Sequence, residues 1–309
     1  QALDRPDRPD PAAPRPSPQP PLARRPAALS VTAITTLIRD PYAIYARHVL
    51  RLVPVAPLVP QADARARGIA LHEVMRAFLE REAAWRDDPE AARAALVQAT
   101  AALDRPDTDP AMQTLWRARL MAQSERLIAA EIARLAEARP VLLESAQPGR
   151  LTLPGLGFTL TARPDRIDRF DDGTYAIRDY KTGKPPELKQ VRAFEKQLPL
   201  EAAIAEAGGF PGLPAAPVAA MTYIALGASG ADIDLPLTHE GHHLPSQARD
   251  DLIRLIRAYG RRSQGYTAQR AAETVRFDGD YDHLSRYGEW SLSDPAAATR
   301  VGPDDEAAP

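Results

Sequence analysis

The sequence predicts an α/β domain in which a mixed central sheet is flanked by helices. Three observations carry that prediction. Before residue 140 the apolar residues recur at helical spacing, between about 141 and 183 the period falls to two, and from 187 onward helix-like and strand-like stretches alternate. The 309 residues suffice for one large domain or two small ones with an ample core. A net charge of −2 gives no global demand for nucleic acid. There is no cysteine, which excludes disulfides, thiolate zinc sites and cysteine-held iron–sulfur clusters within this chain. No apolar run approaches the roughly 18–20 residues of a membrane span, so a cytoplasmic protein without a membrane partner is expected.

Residues 1–26 hold nine prolines among Asp, Arg and Ala, and 1–28 is expected to be a disordered linker. The first residue is Gln rather than Met, so a further region upstream is expected. Ser30 or Thr32 caps a short helix through Ile34, Leu37 and Ile38. Pro41 then opens a helix over 42–52, and Pro54, Pro57 and Pro60 mark an extended connection. Residues 68–84 form an amphipathic helix with Ile69, Leu71, Val74, Met75, Phe78 and Leu79 on its apolar side. His72 lies at the edge of that side, where a lone histidine reads first as a boundary residue. Helices follow over about 88–104 and 111–138; Arg126, Arg134 and Arg139 read as the solvated face of the second.

Short strands over 141–146, 150–153 and 158–163 lead into a hairpin. Beyond it, a helix over 187–207 carries Gln197 near a kink at Pro199. Gln197 alone reads as an ordinary exposed helical residue. A buried strand over 218–226 follows. His239, His242 and His243 match no zinc spacing and read as a solvated loop before a helix over 246–264. The aromatic and acidic run 274–292 contains Phe277, Tyr281, Tyr287 and Trp290, and 293–309 is expected to be a frayed tail. The folded domain is therefore expected over 29–292.

The hairpin is the informative stretch. Asp171-Asp172-Gly173 suits a three-residue loop with glycine in the left-handed position. Phe170 then pairs with Thr174, and counting outward sets Asp165 opposite Asp179, about 4.5–5.5 Å apart at Cβ. Lys181 points to the same face as Asp179. Taken alone, Asp179-x-Lys181 reads as an ion pair on a solvated hairpin. Facing carboxylates are destabilising, however, and a divalent cation is the natural compensation. A lysine beside it can orient an attacking water.

Pro164-Asp165 followed by Asp179-Tyr180-Lys181 resembles the PD-(D/E)xK nuclease signature. Gly68-Ile69-Ala70-Leu71-His72 resembles the G-x-x-x-H element of the RecB-like branch, and Asp165-Arg166-Ile167-Asp168 with Asp179-Tyr180-Lys181-Thr182-Gly183 resembles that branch's remaining motifs. Gln197 stands where its Q-x-x-x-Y motif begins. Leu29-Ser30-Val31-Thr32, Asp40-Pro41-Tyr42-Ala43-Ile44-Tyr45 and Asp280-Tyr281-Asp282-His283-Leu284 with Glu289-Trp290 resemble AddB-type subunits of bacterial helicase–nucleases. The resemblance covers roughly residues 29–292.

It implies a restriction-endonuclease-like fold and Mg²⁺-dependent (or Mn²⁺-dependent) cutting of DNA during the processing of double-strand breaks. An AddA-like helicase–nuclease subunit would be the partner, and a helicase-like region would lie upstream. Asp165 and Asp179 would hold the metal with His72 and the Tyr180 carbonyl, and Lys181 would act on the water. Arg163, Arg166, Arg178 and Lys184 would contact phosphates without reading bases, with Gln197 also on the DNA. Two positions depart from the pattern. Asp40 stands where many AddB proteins have the first of four cluster cysteines, so no iron–sulfur cluster is expected. Glu201 stands in place of the motif tyrosine.

Overall fold

The computed structural model describes residues 12–55, 64–106, 108–144, 147–227, 230–269 and 279–303. In chain order the elements are β1 (Pro16–Gln19), β2 (Ala28–Ser30), α1 (Val31–Arg39), α2 (Pro41–Ile44), α3 (Ala64–Leu79), α4 (Pro89–Ala99), α5 (Pro110–Met121) and α6 (Ser124–Glu137). Next come β3 (Ala138–Leu143), β4 (Gly149–Leu153), β5 (Phe158–Ala162), β6 (Arg166–Phe170), β7 (Tyr175–Lys181), α7 (Leu188–Ala193) and α8 (Gln197–Glu206). The chain ends with β8 (Val218–Ala225), β9 (Ile233–Leu235), β10 (Thr238–His239), β11 (His242–His243), α9 (Leu244–Tyr259), α10 (Asp282–Ser285) and β12 (Ala297–Arg300). The parts of the sequence reading that rest on Pro57, Pro60, Phe277, residues 1–11, 145–146 and 304–309 lie outside the described residues. No helix among the described residues is long and apolar enough to cross a membrane.

Two compact units divide the chain. The larger spans 57–152 and 159–251. Its sheet has the order β3-β6-β7-β8-β9, with β7 and β8 parallel and the other neighbours antiparallel. This is the expected α/β architecture with a mixed sheet. Tyr180, Ile224 and Leu226 share a buried apolar cluster with Leu71, Val74 and Phe78 of α3, Leu96 of α4, Trp116 of α5 and Leu127 of α6. Every residue of α8 from Leu198 to Ala205 is buried, so that helix is enclosed on all sides. Two expected single helices are each broken. Residues 111–138 divide at Ala122–Gln123, and 187–207 divides at 194–196. Pro199 therefore sits in the first turn of α8, where the missing N–H costs no helical hydrogen bond, rather than at a kink.

The smaller unit spans 1–56, 153–158 and 252–309. Ser30 caps α1 as expected, its hydroxyl accepting from Ala33 N at 3.1 Å. Pro41 opens α2, which continues as a π-helical turn over Tyr45–Val49. Over the described residues 12–28 and 293–303 the expected disordered linker and frayed tail are corrected, because β1 pairs in parallel with β12, Pro16 opposite Ala297 through Gln19 opposite Arg300. Pro16 and Pro18, which have no N–H to donate, take part in that strand as acceptors. Pro16 O and Pro18 O accept from Ala268 N (2.8 Å) and Tyr266 N (2.9 Å) on one edge, and Arg15 O accepts from Ala297 N (2.8 Å) on the other.

Candidate active site

The hairpin adopts the register read from the sequence. Arg166 faces Arg178, Ile167 faces Ile177 and Asp168 faces Ala176. Phe170 N donates to Thr174 O at 3.0 Å, and Gly173 closes the turn at φ +89°, a conformation that favours glycine. The same register brings Asp165 level with Asp179, and its Oδ2 accepts from the Tyr180 amide at 2.8 Å.

Three elements converge on this end of β7. From α3, His72 Nε2 lies 3.0 Å from Tyr180 O and its Nδ1 3.3 Å from Asp165 Oδ1. From β7, Asp179 is 1% exposed, and its Oδ2 lies 2.6 Å from Lys181 Nζ. From α8, Gln197 Nε2 donates to Asp179 Oδ1 at 2.6 Å while its Oε1 accepts from Lys181 Nζ at 3.2 Å. The Tyr223 ring lies 5.4 Å from that ammonium. His72, Asp165, Asp179, Tyr180, Lys181 and Gln197 are thus brought together; Gln197 is no free helical side chain, and its amide bridges Asp179 and Lys181 rather than facing solvent for DNA.

The electrostatics follow from burial and crowding. Burial raises the Asp179 carboxyl to about 6 despite the opposing charge of Lys181, and Asp165 adds to the rise. Burial alone would lower His72, but its hydrogen bond to Asp165 and the charges of Asp165, Asp179 and Glu144 carry it above the usual imidazole value. Burial would likewise lower Lys181, but the charge and hydrogen bond of Asp179, together with the charges of Asp165 and Glu201, carry it above its usual value. The neighbouring carboxylates favour the protonated forms of His72 and Lys181, and burial opposes ionisation of Asp179.

Sequence reasoning missed Glu144 and singled out Glu201 only as standing in place of the motif tyrosine. Glu144, just past β3, lies opposite Asp165, its amide donating to Asp165 O at 3.0 Å, and its Oε1 stands 4.0 Å from His72 Nδ1. Its position depends on the pairing of β3 with β6, which no local motif announces. Glu201 is fully buried one turn after Gln197, whose amide reaches its Oε1 at 3.4 Å. Burial first, then Asp179 and Asp165, push its carboxyl far above the usual range. The i, i+4 spacing of Gln197 and Glu201 was the available signal for that contact.

Two of the expected phosphate contacts are corrected. Arg166 is 0% exposed; its Nε donates to Asp168 Oδ1 and its Nη1 to Glu131 Oε2, both at 2.5 Å. Arg178 is buried beside it, donating to Asp168 Oδ2 at 2.6 Å and to Thr222 Oγ1 at 3.3 Å. The cause is the period of two. Arg166 is one residue from Asp165 and Arg178 one from Asp179, so both point to the opposite face of the sheet. Arg126 and Arg134, expected on a solvated face, both pair with Asp232, and Arg134 also with Glu131. Arg163 and Lys184 are exposed, Lys184 pairing with Glu187 at 2.6 Å.

His239 and His242 form a short antiparallel pairing, and His239 bonds to Arg192. Among the described residues no group of three or more His, Asp or Glu side chains is already gathered as a metal cage. At the β7 end Asp165 Oδ2 is engaged by the Tyr180 amide and Asp179 Oδ2 by the Lys181 ammonium. The donor set there comprises an imidazole, two carboxylates and a backbone carbonyl. That chemistry suits a hard divalent cation, and the crowding of carboxylates around a buried, reluctantly ionised Asp179 is what such a cation would relieve.

A sequence profile of the PD-(D/E)XK nuclease superfamily matches residues 28–282. Uncharacterized proteins of Rickettsia typhi and Rickettsia conorii are each 26% identical to the chain over 194 residues, 60% of its length. The chain spans 22% and 23% of those two proteins. Among solved structures, the crystal structure of SSO0001 is similar at 14% identity over 74% of this chain and 76% of that one, with a TM-score of 0.27.

Proposed function

The chain belongs to the PD-(D/E)XK nuclease superfamily, and from that premise we propose that it hydrolyses phosphodiester bonds of DNA with Mg²⁺ or Mn²⁺ at the end of β7. The observation that carries the proposal is the convergence of His72, Asp165, Asp179, the Tyr180 carbonyl and Lys181 within hydrogen-bond reach of one another or of a shared neighbour. Asp165, Asp179, His72 and Tyr180 O would hold the cation. When bound, it would polarise the scissile phosphate and lower the pKa of a water.

The chain's own groups do the rest. The Tyr180 amide fixes Asp165, and Gln197 fixes the Asp179 carboxylate and the Lys181 ammonium relative to each other. Lys181, kept protonated by Asp179, orients the attacking water and faces the charge that develops on the phosphate. Arg163 and Lys184 position the strand by its phosphates.

The finer reading is end processing of double-strand breaks for recombination, as the AddB-like partner of an AddA-like helicase–nuclease subunit. Support for it is the order of the motifs from Leu29 to Trp290. The test is a cleavage assay on linear DNA with Mg²⁺, with Mn²⁺ and with EDTA, alone and with the AddA-like subunit, alongside Asp179→Ala. Cutting that needs metal, and is lost in Asp179→Ala while DNA binding stays, is the expected result. A chain that binds DNA but never cuts would be a nuclease-like binding module. Equal cutting of circular and linear single strands would overturn end processing.

A further inference from the structure

A cavity of about 180 Å³ opens beside the end of β7 and shares only Lys184 with the chemistry above. At roughly 30 Å³ of liquid per water molecule it holds about six waters' worth of space. Its floor is apolar, built from Leu71 of α3, Trp116 of α5 and Leu226 after β8. Its rim is cationic, with Arg67 of α3, Arg119 of α5 and Lys184 of the loop after β7. No acidic side chain lines it among the described residues.

Two of the cations are under-used. Arg119 is exposed and makes no ion pair with the described residues. Arg67 reaches the Thr182 carbonyl only at 3.4 Å, and its buried Nε has no hydrogen-bond partner. The cavity also adjoins the reaction centre through the chain itself. Leu71 precedes His72, Thr182 and Gly183 follow Lys181, and Leu226 N donates to Lys181 O at 2.9 Å.

We propose that this cavity is a nucleotide subsite that takes one unpaired nucleotide of the strand being cut. Its base packs on Leu71, Leu226 and Trp116, and its phosphate meets Arg67, Arg119 and Lys184. The proposal rests on the nuclease reading of the site. A free phosphate would satisfy the rim but leave the apolar floor bare, and an apolar ligand would leave Arg67 and Arg119 uncompensated; a nucleotide matches both. The nucleotide is unpaired because a base can enter so small a space only by leaving its stack, which a single strand permits at least cost.

The test is fluorescence anisotropy on the full chain, with labelled single-stranded oligonucleotides that each carry one abasic position, in Ca²⁺ without Mg²⁺. The unaltered chain is expected to show one position whose base loss weakens binding about tenfold. In Gly183→Leu that sensitivity is expected to vanish, with all oligonucleotides bound equally and weakly. A Cβ at Gly183 meets nothing within 4 Å, so the new side chain fills the cavity without clashing at its root. Arg119→Ala, a surface change that a thermal melt will show to be folded, is expected to weaken binding and to lower the salt slope by about one. No sensitive position, or variants that bind like the unaltered chain, overturns the subsite even if the protein cuts DNA. A sensitive position in a protein that never cuts with Mg²⁺ or Mn²⁺ keeps the subsite and overturns the nuclease reading.

Discussion

The side-chain amide of Gln197 donates to Asp179 at 2.6 Å, so the first residue of α8 sets the rotamer of a carboxylate in the middle of the sheet. The other end of the same amide accepts from Lys181. Gln197→Ala is therefore expected to leave the fold intact and to lower the cleavage rate by about tenfold, because the ammonium is no longer aligned. Lys181→Ala removes the charge itself and is expected to cost on the order of 10²-fold. Single-turnover cleavage of a labelled strand compares the two. Equal losses would mean that Gln197 does more than position the lysine.

Metal binding is expected to weaken as pH falls. Asp179 has been raised to about 6 by burial, and His72 above its usual value by Asp165, Asp179 and Glu144 against the pull of burial. Below about pH 6 protons occupy both groups and compete with the cation. Titration of Mn²⁺ into the protein between pH 5.5 and 8 reads this directly. His72→Ala is expected to weaken Mn²⁺ binding by at least about tenfold at pH 8 and to flatten the pH dependence. An affinity independent of pH would contradict the proposed ligand set.

Glu201 is expected to be a stability cost that grows with pH. Burial holds its folded-state carboxyl far above the unfolded value, so the folded state keeps a proton that the unfolded state has already released. The stabilising contribution of that proton is present below the unfolded pKa and is lost as pH rises toward the folded one. Glu201→Gln, which cannot ionise, is expected to be the more stable protein, with a margin that widens from pH 5 to pH 8. Urea denaturation across that range checks it. A margin that narrows with pH would show that Glu201 is ionised and paired in the fold.

Arg166 and Lys184, one deep in the sheet and one at its rim, are expected to respond oppositely. Arg166→Met leaves the buried carboxylates of Glu131 and Asp168 short of a partner and is expected to cost about 3–5 kcal/mol in denaturant titrations. Lys184→Ala is expected to change stability little and to lower the salt slope of DNA binding by about one. A folded Arg166→Met protein of near-normal stability whose DNA salt slope falls would restore Arg166 as a phosphate contact.

The hairpin and what hangs from it are legible in the sequence. Loop length and the glycine at position 173 set the register, the register set Asp165 beside Asp179, and the period of two carried Lys181 to the same face, because all three are local rules of the backbone. The helix that presents His72 is legible too, through its apolar stripe. What the long-range partners do depends on how the elements pack. That Arg166 and Arg178 face Glu131, Asp168 and Thr222 rather than a phosphate depends on which side of the sheet α6 covers. That Glu144 and Glu201 stand in the site depends on the pairing of β3 with β6 and on the burial of α8. Pro16–Gln19, within the proline-rich stretch, became a strand because a separate segment, at Ala297–Arg300, was there to pair with. Local periodicity says which residues share a face; what covers that face is set by segments far apart in sequence, about which it contains no information.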